Sequence, residues 1–328
     1  MRFIGRDWRD SLGRYIQRRI LINIPLLVVI TILSFLLLQA TPGDPLNAHV
    51  PPDAALSEEQ RDALRERLGL DEPLPLRYVL WLGEAAQGNL GFSARTGQPV
   101  TDVIGSRIGP TMLLMVTSIV IGVSVGIVLG ILTALTRNSV LDMALSSAAL
   151  FGISVPVYLA GLVGLYIFSV RLGWFPTGGY STPGDSSFLD ALYHLVLPAG
   201  LIAVQYIAST MRYTRSSMIE TISQDYVRTA QAKGLPFRPV VLRHAFRNAL
   251  IPIATIIGSY VPQLLAGAVF IETIFAWPGM GRLFVESVEN RDYPIVMGLT
   301  LILAMIILMA NLITDVAYGL IDPRIRYD

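Results

Sequence analysis

Six long apolar stretches, none of which contains Asp, Glu, Lys or Arg, divide this chain of 328 residues. They are Ile20–Gln39, Met112–Leu135, Ala144–Val170, Ala191–Met211, Ala249–Ile271 and Ile295–Ile313. About 20 residues of α-helix cross the ~30 Å hydrocarbon core of a bilayer, and a helix satisfies its own backbone hydrogen bonds there. With 53% hydrophobic and 15% charged residues, the composition differs strongly from that of a soluble domain. The sequence therefore predicts an all-α polytopic membrane protein with six transmembrane helices.

The distribution of basic residues predicts the orientation of these helices. With six spans both termini lie on one side, and sixteen of the 25 Lys and Arg residues fall in the termini and loops of that side. Six of the other nine lie in one long loop, where the positive-inside rule has little force. We therefore expect both termini in the cytoplasm and a long extracytoplasmic loop between helices 1 and 2.

This topology divides the chain into segments. In order, they are a basic cytoplasmic N-terminus at 1–19, the first transmembrane helix at 20–39, an extracytoplasmic loop domain at 40–111, a five-helix transmembrane domain at 112–320 with a cytoplasmic loop at 212–248, and a cytoplasmic tail at 321–328. The arginines before the first apolar stretch resemble the start of a signal peptide. That stretch is too long for one, so we expect an uncleaved signal anchor.

One short soluble helix is predicted inside the long outer loop. Ser57 and Gln60 have the spacing of a capping box at its start, and Gly69 can end it. The loop carries more acidic than basic residues. A solvated cap over the loop ends and a docking surface for an external partner are both compatible with this composition.

Small residues follow one face of the second span at intervals of four, and they include Gly122, Gly126 and Gly130. This spacing lets two helix backbones approach each other closely. We interpret the glycines as a helix-packing surface. A role in lining a substrate path is the less favoured alternative.

The fifth span is interrupted by helix breakers at Gly258, Pro262 and Gly267. Such residues are tolerated where neighbouring helices or a water-filled cavity satisfy the backbone. The fifth span is therefore the preferred candidate for lining a translocation path. On one of its faces Ser259 and Gln263 would offer neutral hydrogen-bonding groups, although hydrogen bonding between helices is an alternative role for them.

Two acidic residues lie at the edges of spans. Glu272 is at the outer end of the fifth span, and Asp315 is near the inner end of the sixth. Ionisable groups in a membrane are costly and are functional candidates by default, which makes Glu272 a candidate for the path. Both lie close enough to an interface for partial hydration, so structural pairing is favoured for each. Asp315 could pair with Arg212 or Arg215.

Motifs for catalysis and for metal binding are missing from the sequence. A P-loop requires Gly-Lys followed by Ser or Thr, whereas the only lysine, Lys233, precedes a glycine. The chain has no cysteine, and His49, His194 and His244 lack the spacing of metal ligands. We therefore predict no catalytic residue, no metal site and no enzymatic activity of this chain alone.

A basic segment from Gln224 to Pro252 is the longest continuous surface predicted on the cytoplasmic side. It resembles the EAA-type motif of ABC importer permeases, with Gly234 at the position of the family's glycine and Thr229 in place of its acidic residue. Motifs elsewhere resemble the peptide/nickel branch of that family, and the long first outer loop resembles its B-type subunit. They include ATPGDP at 40–45, LGWFPTGG at 172–179, RHAFRNALIP at 243–252, FAWPGMGRL at 275–283 and DPRIR at 322–326.

The resemblance implies a transport subunit in a bacterial inner or plasma membrane. A second homologous permease would complete a heterodimer, two cytosolic ABC ATPase subunits would bind ATP and Mg²⁺, and an extracytoplasmic binding protein would deliver the ligand. It implies no cofactor in this chain and no nucleic-acid partner. The surface that couples to the ATPases would contain Asp225, Tyr226, Ala230, Gly234, Leu235, Phe237, Arg243 and His244. Leu235 and Phe237 would be the apolar anchors of that contact.

Two other protein classes compete with this interpretation. An ion-coupled secondary transporter should have charged residues in mid-span and repeat symmetry, and the sequence has neither. A membrane-anchored scaffold would not require six spans with interrupted helices. Within the permease family, dipeptides or oligopeptides are the expected cargo, and a nickel chelate, glutathione or a sugar are the alternatives.

Overall fold

The computed structural model describes residues 7–41, 46, 57–67, 69–185, 187–234, 236, 240–241 and 246–321. Every extended regular element within these ranges is a helix. The helices are α1 (Asp7–Ala40), α2 (Glu58–Arg67), α3 (Leu74–Ala86), α4 (Val100–Leu135), α5 (Val140–Ser154), α6 (Val157–Gly164, continued by a π-helical stretch, Leu165–Arg171), α7 (Phe188–Ile222), α8 (Asp225–Ala232), α9 (Phe246–Ile274), α10 (Met280–Glu289) and α11 (Tyr293–Ile321).

Several of these helices are long and apolar enough to cross a bilayer. Among the described residues they are α1, α4, α7 and α11, and two bent helix pairs raise the number to six if each pair forms one span. One pair is α5 with the helix that follows it, and the other consists of the two halves of α9. The prediction of an all-α polytopic membrane protein is thus confirmed.

The third predicted span is not a straight helix. Its two parts, Val140–Ser154 and Val157–Arg171, meet at an angle of 102°. Val155 has an extended backbone, with φ −80° and ψ 122°, and Pro156 follows it. Proline has no N–H to donate and disfavours helical geometry in the residue before it, so the helix ends there. The prediction of one continuous helix over 144–170 was therefore wrong.

Two helices continue past the apolar stretches that were predicted as spans. The second span was expected to begin at residue 112, but α4 begins at Val100 and is 36 residues long. The cytoplasmic loop was expected to begin at residue 212, but α7 continues to Ile222 and has 35 residues. Each is about 50 Å long at 1.5 Å per residue, well beyond the ~30 Å core. A charged residue ends an apolar stretch, but it does not end a helix.

The three glycines of α4 lie at the contact between α4 and α7. A Cβ added to Gly126 would lie 2.6 Å from Cβ of Thr210 and 2.9 Å from the carbonyl oxygen of Ile207. Gly122 and Gly130 face the same helix and are equally restricted. The small residues therefore allow the backbones of these two long helices to approach closely.

The predicted helix of the outer loop has the expected capping box. The Ser57 N–H donates to Oε1 of Gln60 at 3.0 Å, and the Gln60 N–H donates to the Ser57 hydroxyl at 3.3 Å. The helix α2 follows directly, and Gly69 beyond its end has φ +61°. These local predictions are confirmed. They could be made from the sequence because capping depends only on residues close in sequence.

Candidate coupling surface and translocation path

The candidate coupling surface is the short helix α8 with the residues around it. Only Ser223 and Gln224 separate α8 from the end of α7. Along α8, Asp225 and Tyr226 are exposed, whereas Val227 is buried. The helix therefore presents one polar face outward and holds an apolar residue against the rest of the protein.

A buried apolar cluster joins the ends of three long helices to the chain segment between α8 and α9. Met218 of α7, Ala134 of α4 and Ala249 of α9 form a buried cluster together with Val241. Burial of such side chains contributes roughly 1.5–3 kcal/mol each for the larger ones. Val241, in the chain segment between α8 and α9, is thus packed against the ends of α4, α7 and α9, so a force on that segment would be transmitted to these helices.

Gly234 follows α8 in a left-handed backbone conformation, with φ +81°. Among the described residues, no atom outside its chain neighbours lies within 4 Å of the position that a Cβ would occupy. The requirement for glycine therefore comes from the backbone conformation and not from crowding. Of the other residues predicted for coupling, Ala230 lies within α8. Leu235, Phe237, Arg243 and His244 lie outside the described residues.

An ion pair between Asp142 of α5 and Arg215 of α7 lies ten residues before α8. Nε of Arg215 donates to Oδ1 of Asp142 at 2.7 Å, and Nη2 donates to Oδ2 at 2.8 Å. The Asp142 side chain is 4% exposed and also accepts the Asn138 N–H at 3.0 Å and the Ser146 hydroxyl at 3.3 Å. This bidentate geometry fixes the helix that leads into α8 against the loop between α4 and α5.

Asp142 was not predicted as a site residue. Its sequence context carried a signal, because Ser139 stands three positions earlier and caps α5 through the Asp142 N–H at 3.2 Å. A Ser-x-x-Asp pattern after a short polar loop indicates a helix start. It places the Asp142 carboxylate in the first turn of α5.

The prediction that Asp315 pairs with Arg212 or Arg215 was wrong. Oδ2 of Asp315 lies 2.9 Å from Nη2 of Arg19 on α1, and not beside Arg212 or Arg215. Arg215 is held by Asp142, and Arg212 stacks over the ring of Tyr213 at 5.6 Å. The physical reason is that α11 packs beside α1, which brings the first and last helices together.

Glu272 is fully buried at the end of α9. Its Oε1 accepts the hydroxyl of Thr111 at 2.6 Å, and its Oε2 accepts the N–H groups of Gly281 at 2.7 Å and Arg282 at 3.1 Å. Two backbone donors at the start of α10 suit a negative charge. Glu272 therefore connects α4, α9 and α10, which favours the structural role over the path role.

The segment between α9 and α10 is built around this carboxylate. The Trp277 indole N–H donates to the carbonyl of Pro110 at 2.9 Å, and Trp277 is fully buried. A Cβ on Gly279 would collide with the Glu272 carboxylate, and one on Gly281 would lie 2.6 Å from Cα of Val269. The WPGMG part of the FAWPGMGRL motif is thus explained by close packing on a buried acid.

The two polar residues proposed for the path lie on the exposed side of α9. Ser259 and Gln263 are both exposed, whereas Tyr260 between them is buried. The Ser259 hydroxyl donates to the carbonyl of Ile256 at 2.7 Å. The halves Ile256–Gln263 and Gly267–Ile274 are bent by 49°, which agrees with the predicted interruption of this span. The role of these residues in a path stays a prediction.

Acidic and histidine side chains do not gather into a metal site in the part of the chain that the structure describes. His194, which lies in that part, is instead within hydrogen-bond distance of a backbone carbonyl and a hydroxyl. Its Nδ1 is 3.1 Å from the carbonyl of Gly178, and its Nε2 is 3.3 Å from the hydroxyl of Thr182. The expected structural role of this histidine agrees with these contacts.

Comparison with known proteins places the chain in a family. Residues 126–327 match the family described as "Binding-protein-dependent transport system inner membrane component", and residues 12–115 match the family of N-terminal parts of such components. The oligopeptide transport system permease protein AppB of Bacillus subtilis is 41% identical over 96% of this chain and all of its own length.

Other relatives also match the chain over nearly all of its length. A protein of Brucella suis, named as a candidate peptide permease, is 51% identical over 95% of this chain and 99% of its own. The glutathione transport system permease protein GsiC of Escherichia coli is 39% identical, with the same two coverages. The family matches and these relatives together span the helices described above. The chain therefore belongs to the binding-protein-dependent transport system inner membrane components and is a permease subunit of an ABC importer.

Proposed function

We propose that this permease forms half of a translocation pathway for dipeptides or oligopeptides. The observation that carries the proposal is the match over 96% of the chain to an oligopeptide permease, together with a similar match to a candidate peptide permease. A second permease subunit would supply the other half, and an extracytoplasmic binding protein would deliver the peptide. Glutathione, itself a peptide derivative, is the cargo named for another relative and is the first alternative.

The exposed side of α9 supports a peptide cargo on chemical grounds. Peptides with varied side chains share only their backbone groups, and neutral polar side chains can hydrogen-bond to these without selecting one charge. Ser259 and Gln263 are groups of this kind, and both are exposed in the single subunit. In the assembled importer they would face the partner permease across the path.

The surface around α8 supports coupling to a cytosolic ATPase. Asp225, Tyr226 and Lys233 are exposed on it and Val227 is buried, while Val241, between α8 and α9, packs on the ends of α4, α7 and α9. A motion imposed on α8 would reach α7 directly, because two residues join them. ATP and Mg²⁺ would be bound by the two ATPase subunits and not by this chain.

We further propose six spans with both termini in the cytoplasm and the α2–α3 region outside. A cysteine at Ser57, beside exposed α2, is expected to react with a membrane-impermeant maleimide in intact cells. A cysteine at Pro236, beside Gly234, is expected to react only after the membrane is permeabilised. Both positions are exposed, and the natural chain has no cysteine to confuse the labelling. The opposite labelling pattern would overturn this topology.

Replacing Gln263 with Leu is expected to lower peptide uptake, by about tenfold, because a polar contact to the peptide backbone is lost. The amount of assembled complex and its basal ATPase rate should not change, since the side chain is exposed in this subunit. Gln263→Asn keeps the amide and should retain most of the uptake. Unchanged uptake in Gln263→Leu would show that this face of α9 only packs against another helix.

Growth of a peptide-requiring strain tests the cargo. An amino-acid auxotroph without its own peptide importers, supplied with this permease and its partner subunits, should grow on dipeptides and oligopeptides of the missing amino acid. Parallel uptake assays would use labelled glutathione, a nickel chelate and a disaccharide. Uptake of one of these three without growth on any peptide would contradict the proposed cargo.

A further inference from the structure

A short hairpin connects α3 to the start of α4, at the end of α4 that lies outside in the proposed topology. It consists of residues 91–100 and is called the outer hairpin below. The Val100 N–H donates to the carbonyl of Gly91 at 3.0 Å. Phe92 and Pro99 pair across the hairpin in an antiparallel β-bridge. Backbone hydrogen bonds therefore fix the shape of this connection.

A buried carboxylate holds the outer hairpin against the turn between α10 and α11. Oδ2 of Asp292 accepts the Ser93 hydroxyl at 2.5 Å, and Oδ1 accepts the Ala94 N–H at 3.1 Å. The Ser93 hydroxyl in turn accepts the Thr96 N–H at 3.0 Å. Asp292 is 4% exposed and Ser93 is 3% exposed. Hydrogen bonds to a charged group are strong where water is excluded, so the hairpin has a fixed position on the protein.

The length of α4 places the outer hairpin beyond the bilayer. The helix begins at Val100, whereas its apolar stretch begins at Met112. This difference of twelve residues raises the hairpin by up to about 18 Å above the edge of the hydrocarbon core. The headgroup layer on each side is only about 5–8 Å thick. The exposed side chains of the hairpin therefore face water and not lipid.

These exposed side chains are of the types that contribute most to protein interfaces. Phe92 is 62% exposed, although it lies above the lipid. Arg95 and Gln98 at the tip are exposed as well. Aromatic residues and arginine are enriched in the residues that carry binding energy, and their contribution is larger when the surface is already ordered. The outer hairpin combines such residues with a rigid support.

Two arginines flank the buried carboxylate without an ion-pair partner. Arg95 lies two residues after Ser93, and Arg291 directly precedes Asp292. Both are exposed, and neither forms an ion pair with a described residue. Apart from Asp292, the acidic residues nearest to them along the chain are Asp102 and Glu289, which are exposed and pair with neither arginine. Both guanidinium groups are therefore accessible to carboxylates of a partner.

We propose that the outer hairpin, with Phe92, Arg95 and the adjacent Arg291, is a docking surface for the extracytoplasmic binding protein. The inference rests on the proposed topology and on the binding protein after which the family is named. Residue 100 begins α4, and Asp292 directly precedes α11. A partner bound at this surface would therefore act on the outer ends of both helices.

The ATPase response of the complete importer in nanodiscs tests this surface. The importer would be titrated with its peptide-loaded binding protein, and the concentration that gives half-maximal stimulation would be measured. Phe92→Ala and the double variant Arg95→Glu with Arg291→Glu should each raise this concentration about tenfold. The basal ATPase rate and the rate at saturating binding protein should not change, because the three side chains are exposed in this subunit.

Arg61→Glu is the matched control for the charge change. Arg61 is an exposed arginine of α2, in the same outer loop but outside the hairpin. Its half-maximal concentration should equal that of the natural protein. An equal rise in Arg61→Glu, or an unchanged concentration in the variants of the hairpin, would overturn the proposal.

A photo-cross-linker at the tip of the hairpin identifies the partner. The natural chain has no cysteine, so Gln98→Cys can be labelled with a benzophenone maleimide. Irradiation should cross-link this chain to the binding protein, whereas cross-links only to the second permease or to another copy of this chain would contradict the proposal. An importer that responds to no binding protein would contradict the proposed function as well. A responsive importer in which the hairpin variants have no effect would contradict this inference alone.

Discussion

The substitution Gly234→Val is expected to abolish transport while the permease still inserts into the membrane. Gly234 has φ +81°, a conformation that a β-branched residue occupies only at a cost of about 1–3 kcal/mol. The segment would relieve this strain by changing its path directly after α8. The face of α8 that we propose for ATPase contact would then be displaced, so ATPase co-purification and ATP-driven uptake should both fall to background.

A second glycine provides the control for this experiment. Gly184 has φ +90°, and no atom of the described residues lies within 4 Å of the position of its Cβ, but it lies in the loop before α7, at the opposite end of that helix from α8. Gly184→Val introduces similar local strain and should leave ATPase co-purification and most of the uptake intact. If Gly234→Val retained wild-type ATPase binding and uptake, this segment would have no part in coupling.

The substitution Arg215→Leu should destabilise the permease and impair coupling. It removes two charged hydrogen bonds and leaves the Asp142 carboxylate, 4% exposed, without its cation. Because the Arg215 side chain is 30% exposed and water reaches the pair, we expect a loss of about 1–3 kcal/mol. Thermal unfolding of the purified complex should begin at a lower temperature, and uptake should fall several-fold.

Two variants separate the ion pair from other effects at this position. Arg212→Leu removes an exposed arginine three residues earlier on the same helix and should have little effect on either measurement. The double variant Asp142→Leu with Arg215→Leu removes the buried charge as well and should recover part of the stability. A single Arg215→Leu variant as stable and as active as Arg212→Leu would contradict the importance of this pair.

The helices were predictable from the sequence because apolar stretches and capping residues act locally. Their ends and bends were less predictable, since the relevant signals are ambiguous. Pro156 ends α5 and turns the chain by 102°, whereas Pro110 and Pro198 lie inside long helices without ending them. A proline inside a transmembrane helix is tolerated where neighbouring groups satisfy the freed backbone groups, and this depends on packing.

The candidate site was predictable to a similar degree. The left-handed glycine after α8 could be located from sequence, because Gly234 follows a short helical pattern. The partners of the charged residues could not be located. Asp142 pairs with a residue 73 positions away, and Asp315 pairs with Arg19 at the other end of the chain. Charge alone does not select among the arginines, because helix packing decides which of them is close.

ATP-dependent uptake by the purified importer tests the transport mechanism most directly. The permease would be reconstituted in proteoliposomes with its partner permease, the two ATPases and the binding protein, and the accumulation of a labelled oligopeptide would be followed. We predict uptake that requires ATP and the binding protein, survives collapse of ion gradients, and is lost in Gly234→Val. Uptake driven by an ion gradient without ATP, or by this chain alone, would contradict the assignment of an ATP-driven permease.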